Sequence, residues 1–129
     1  MKMDFQIDDA KLRKQLLGAG QKAAHASAAS LYQSAEVIMT DSKENYVPVK
    51  TGNLRATGFV QLPEDDGHQI TVTLSYGGPA VDYAVIVHED LTAHHPHGQA
   101  KYLSTPLEQR LGDVHNKLVA DLNVVSKNL

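Results

Sequence analysis

Four of the chain's seven histidines, His88, His94, His95 and His97, fall within one short stretch, with Glu89 and Asp90 beside them. Imidazole nitrogens and carboxylate oxygens suit zinc or another divalent cation. One reading of the stretch is therefore a small metal-dependent hydrolase or nuclease. The spacing matches no pattern that sets ligands on one face, such as H-E-x-x-H, and Pro96 between His95 and His97 makes the segment a loop. A histidine-rich composition in a loop more simply describes a solvated or interface segment. The expectation is no bound metal and no cofactor, with His88, His94, His95 and His97 as the only candidate ligands. Because histidine changes charge near neutral pH, a pH-sensitive contact is a third reading.

Other chemistry-bearing patterns are sparse. Glu64, Asp65 and Asp66 precede Gly67 in a turn, where poor shielding makes a shifted catalytic pKa unexpected. There is no G-x-S-x-G elbow, no phosphate-binding glycine loop and no cysteine, which excludes disulfides, thiolate metal sites and a cysteine nucleophile. Lys50 and Arg55 flank a Thr51-Gly52-Asn53 turn without a surrounding basic patch. A subunit contact suits them better than a nucleic-acid backbone. An enzyme is not expected.

The elements that must position these residues follow from periodicity. The composition, 42% hydrophobic and 21% charged with a net charge of −3, is that of an ordinary globular chain, and 1–129 reads as a single domain. No apolar run has signal-peptide or transmembrane length, so a cytosolic origin is the default and no membrane is expected as a partner. Residues 1–7 alternate weakly, as a short edge strand would. Asp8 or Asp9 is a fair N-cap for a helical pattern over 10–45, with a break at Gly18 and Gly20. The Ala- and Ser-rich run within it allows close packing inside the domain or between subunits. Pro48 ends the helix and biases 45–47 toward an extended chain. Strands are then expected over 56–62, 69–76 and 81–88. Asp66-Gly67 joins the first two as a hairpin, and 81–88 is the central strand. Tyr102-Leu103 reads as a short strand or bridge. Thr105-Pro106-Leu107-Glu108 starts a last helix with a stripe of Leu107, Leu111, Val114, Leu118, Leu122 and Val125. The fold class is α+β, a small antiparallel sheet of three to four strands packed against a long N-terminal helix and a C-terminal helix.

Three motifs occur in order: Pro48-Val49-Lys50-Thr51-Gly52-Asn53-Leu54-Arg55 after the long helix, Asp82-Tyr83-Ala84-Val85-Ile86-Val87-His88-Glu89, and Gln99-Ala100-Lys101-Tyr102-Leu103 before the last helix. Together they resemble the neck or tail-completion family of long-tailed bacteriophages, also labelled minor capsid or tail-component proteins, over roughly residues 10–125. That family follows its glutamate with Phe-Gly or Tyr-Gly, where this chain has Asp90-Leu91. The resemblance implies a non-enzymatic virion protein of the head–tail connector, assembled in the host cytoplasm. Such a subunit forms a homo-oligomeric ring beside portal-side or tail-tube proteins, and DNA passes through the channel without sequence-specific binding. Lys50, Thr51, Gly52, Asn53, Arg55, Glu89, His94, His95 and His97 are the expected subunit-interface residues, and Gly52→Val is expected to damage folding or assembly.

Overall fold

The computed structural model of the chain describes residues 1–8, 20–50, 52–79, 81–93, 95 and 97–127. Strand β1 (Lys2–Asp8) is followed, among the described residues, by helix α1 (Gly20–Asp41), which continues into a π-helical turn (Ser42–Tyr46). A single helical turn, α2 (Asn53–Ala56), leads to β2 (Phe59–Val60), β3 (Glu64–Asp65) and β4 (Gln69–Ser75). Helices α3 (Ala84–Glu89) and α4 (Ser104–Lys127) complete the chain. This is the α+β architecture expected. Asp8, one of the two candidate N-caps, is the last residue of β1, and Gly20 is the first of α1, while Asp9, Gly18 and residues 10–19 lie outside what is described.

Strand β4 is the centre of an antiparallel sheet. Its residues alternate, with Ile70, Val72 and Leu74 fully buried and Thr71 and Thr73 on the other face. β1 pairs along its whole length, from Lys2 opposite Ser75 to Asp8 opposite Gln69. The other edge carries β2 and β3 in line. Between the Val60–Leu74 and Glu64–Thr71 pairs, Gln61-Leu62-Pro63 stand opposite Val72-Thr73, so this edge holds a bulge of one residue. Pro63 has no N–H to give a ladder, which suits an interrupted edge. The bulge turns Leu62 outward, leaving it 75% exposed, although its spacing from buried Val60 predicts the core face.

Three sequence expectations need correction. Residues 56–62 are not one strand: 53–56 form the α2 turn, and only Phe59–Val60 pair before the bulge. Residues 81–88 are not the central strand either, since 84–89 are helical. The β-branched run Val85-Ile86-Val87 favours a strand locally, but Val81, Ala84 and His88 are the buried positions, spaced three and four apart. That is a helical period, and packing overrides the β preference of the exposed valine and isoleucine. Tyr102-Leu103 is a buried turn, not a strand.

Helices α1 and α4 pack on each other, and α1 also crosses β4. Ala23, Ser27, Ser30, Leu31, Ser34, Ala35 and Ile38 form the buried stripe of α1, and Val114, Leu118 and Leu122 that of α4. The small side chains of α1 are thus used for close packing inside the domain. Leu111, on the expected α4 stripe, is exposed instead. Helix α4 begins at Ser104, with Pro106 in its first turn, where a missing N–H leaves no helical hydrogen bond unmade. Among the described residues no helix is long and apolar enough to cross a membrane.

Candidate functional site

The end of α1 sets up the site. At Val47 the chain turns extended (φ −66°, ψ 133°), as a residue before proline should, while Asn45 and Tyr46 stay in the π turn. The π turn closes with Val47 N–H donating to Ser42 O at 2.7 Å. Its wider backbone places the buried Ser42 hydroxyl among three distant segments. Ser42 Oγ donates to Tyr102 O at 2.6 Å and accepts from Tyr76 OH at 2.7 Å. Tyr102 OH donates to Ala84 O at 2.6 Å. The Tyr102 ring meets Tyr76 edge-on at 5.0 Å and His88 at 4.9 Å. Burial pushes the Tyr76 phenol up to about 12 and raises that of Tyr102 as well. Both hydroxyls therefore serve as hydrogen-bond donors throughout the ordinary pH range.

His88 belongs to this cluster. Its ring is fully buried, with Nδ1 2.9 Å from Glu89 Oε1 and Nε2 3.3 Å from Ser104 N. Nε2 accepts the Ser104 N–H, one of the donors that the first turn of a helix leaves open. The ring proton therefore sits on Nδ1 and is given to Glu89. With both nitrogens used, His88 is a structural cap on α4 and is not placed to ligate a metal. Glu89 also pairs with the Lys101 ammonium. The Lys101 backbone N–H donates to His88 O at 2.7 Å, and Lys101 holds a left-handed φ of 55°.

Lys101 first, and His88 after it, hold the Glu89 carboxyl below its ordinary value of 4.5. A depressed carboxylate contributes stability above the unfolded value, and that contribution is lost as pH falls through the folded one. Stability should therefore decline as pH drops below about 4.5. Asp66 and Asp90, lowered by backbone and side-chain donors, add to the same limb. Glu89→Gln should flatten part of this acid limb, measured as urea midpoints between neutral and strongly acid pH. An unchanged slope would show that Glu89 is not held as described.

In front of the cluster lies an open cleft of about 470 Å³. It is lined by Pro48, Lys50, Gly52 and Leu54 of the corner, by Tyr83 and Val87, and by His95. Residues from all of the corner motif, the Tyr83–Glu89 motif and the histidine-rich loop thus meet in one place. Gly52 takes a left-handed φ of 84° and starts α2. Leu54 is buried, while Lys50, Asn53 and Arg55 are exposed. Thr51 and His94 lie outside the described residues. His97 is exposed on the loop and does not line the cleft. Among the described residues no three His, Asp or Glu side chains are grouped to hold a metal ion.

Beside the cleft, α3 exposes Val85 and Ile86, the latter by 69%, and Leu91 follows at 74%. The floor of the loop is fixed by Gly98, whose Cα packs against the corner backbone, and by Gln99 N–H donating to Tyr46 O at 2.7 Å. Sequence reasoning missed Gly98, Ser42, Tyr83 and Val87 as site residues. Helical spacing of Tyr83 and Val87, four apart, was the available signal for the last two. Comparison of the chain with known protein families, curated proteins and solved structures finds no match.

Proposed function

We propose that the chain is a structural, non-enzymatic subunit of a bacteriophage head–tail connector, forming a homo-oligomeric ring at the head–tail junction of the virion. The observation that carries this reading is the convergence of two of the three motifs, Pro48–Arg55 and Asp82–Glu89, on one cleft that His95 of the histidine-rich loop also reaches. They are far apart in sequence, and they resemble the neck and tail-completion family segment by segment. A shared fold core alone would not require the exposed motif residues Lys50 and Tyr83 to face the same opening.

A ring needs two different surfaces on each subunit that fit one another with a rotation that closes. The cleft supplies a concave one. The exposed α3 face and the outward side of the sheet, with Phe59 and Leu62, supply apolar surface for contacts. Portal-side or tail-tube proteins of the connector are the remaining partners, and DNA passes through the opening without sequence readout. Negative-stain imaging of the purified chain tests the proposal. Annular particles with a central opening are the expected result, appearing either alone or on adding a connector partner. Particles that stay single and compact under both conditions contradict it.

A further inference from the structure

We propose that the tip of the β3–β4 hairpin of one subunit seats in the cleft of the next copy. The proposal rests on the ring reading for the existence of a neighbour, and it adds which surfaces meet. The first observation is His95. Its Nε2 is buried and has no hydrogen-bond partner among the described residues, although the side chain lines the cleft. Buried polar nitrogens are nearly always paired, and a small turn of this ring on docking would bring Nε2 to a hydrogen-bonding group of the occupant.

The second observation is charge. Lys50 lines the cleft, and Arg55 follows Leu54 exposed on α2; Asp82, exposed next to Tyr83, opposes them. The hairpin carries Glu64, Asp65 and Asp66, all exposed. The Asp66 carboxylate is turned inward onto His68 N at 2.8 Å and Gln69 N at 2.6 Å, and Asp65 accepts Gly67 N at 2.8 Å. These bonds make the tip rigid, so little order is lost on docking. Glu64 is then the carboxylate with the greatest reach toward a neighbour.

The third observation is apolar fit. The bulge holds Leu62 outward beside Glu64, where it can fill a cleft walled by Pro48, Leu54, Tyr83 and Val87. The fourth is placement. Thr57 Oγ1 donates to Leu54 O at 2.6 Å and accepts Gly77 N–H at 2.8 Å, which ties α2 to the Ser75 end of β4. The hairpin turn is at the Gln69 end, roughly 20 Å away along the strand. A hairpin cannot fill its own cleft across that distance. Tip and cleft at opposite ends of one strand make a head-to-tail contact.

Two charge-reversed chains test this: one with Glu64→Lys and Asp65→Lys, the other with Lys50→Glu and Arg55→Glu. Sedimentation velocity of wild type, each variant and their equimolar mixture gives the readout, with circular dichroism to confirm folding. Each variant alone should self-associate about tenfold more weakly than wild type or worse, because like charges then face each other. The mixture should recover assembly, since each tip again meets an opposite cleft. Wild-type assembly with unaffected variants overturns the docking and leaves the ring reading standing; another face of the copy, such as α3, then makes the contact. Loss in both variants without recovery on mixing also overturns it. A wild type that stays monomeric both alone and with a connector partner overturns the ring reading itself.

Discussion

Gly98→Val should lower the stability of the chain by about 3 kcal/mol, combining a left-handed residue with a side chain and an overpacked contact. Gly98 holds φ 84°, and a Cβ there would fall 2.5 Å from Tyr46 O, 2.6 Å from Pro48 N and 2.6 Å from Val47 C. All three are backbone atoms. They cannot swing aside as a side chain would, so relief requires the loop to lift off the corner. The Gln99-to-Tyr46 hydrogen bond would lengthen with it. Gly52 is the natural control. It has the same φ of 84° but nothing within 4 Å of its Cβ position. Gly52→Ala should therefore lose only the conformational term, about 1–2 kcal/mol. Urea denaturation of the two variants beside wild type checks both. Equal losses would show that the loop does not press on the corner.

His88→Ala should cost about 3 kcal/mol, the sum of a buried cavity and of hydrogen bonds left open at Ser104 N–H and Glu89. The ring is fully buried against Tyr102, so no water can replace it without opening the packing. His97→Ala, exposed on the loop that follows α3, should stay within about 0.5 kcal/mol. The two histidines look alike as members of one cluster in the sequence. Their contrast in thermal and urea unfolding separates a helix cap from a surface residue. A neutral His88→Ala would mean that the cap on α4 has little worth.

Much of the architecture is legible along the chain because its elements are locally regular. The strict alternation of 69–75 marks β4, and the 3.6-residue stripes mark α1 and α4. What escapes is where local preference and packing disagree. Val85 and Ile86 are exposed apolar residues on a short helix, so their β-branched run reads as a strand. The bulge at Gln61-Leu62-Pro63 displaces Leu62 from the face its spacing assigns. The Ser42–Tyr76–Tyr102–His88 cluster joins residues 34 and 60 positions apart through Ser42 alone, and no periodic pattern announces such contacts. The same holds for Gly98, whose role exists only once the loop lies on the corner. At the site, Lys50 and Gly52 were marked by the turn, while Tyr83 and Val87 emerged only when 84–89 proved helical.

These features make the cleft a rigid receptacle. The π turn, Gly98 and the His88 cap hold the segments that wall it, and its front is open. On the proposed ring, a second copy of the chain fills this cleft. The most direct measurement is a native mass spectrum of the purified protein over a range of concentrations. The expected result is one closed oligomer well above dimer, in excess of any ladder of intermediates, because closure satisfies every cleft at once. A spectrum that shows only the 14.0 kDa monomer across the range, with and without a connector partner, would contradict it.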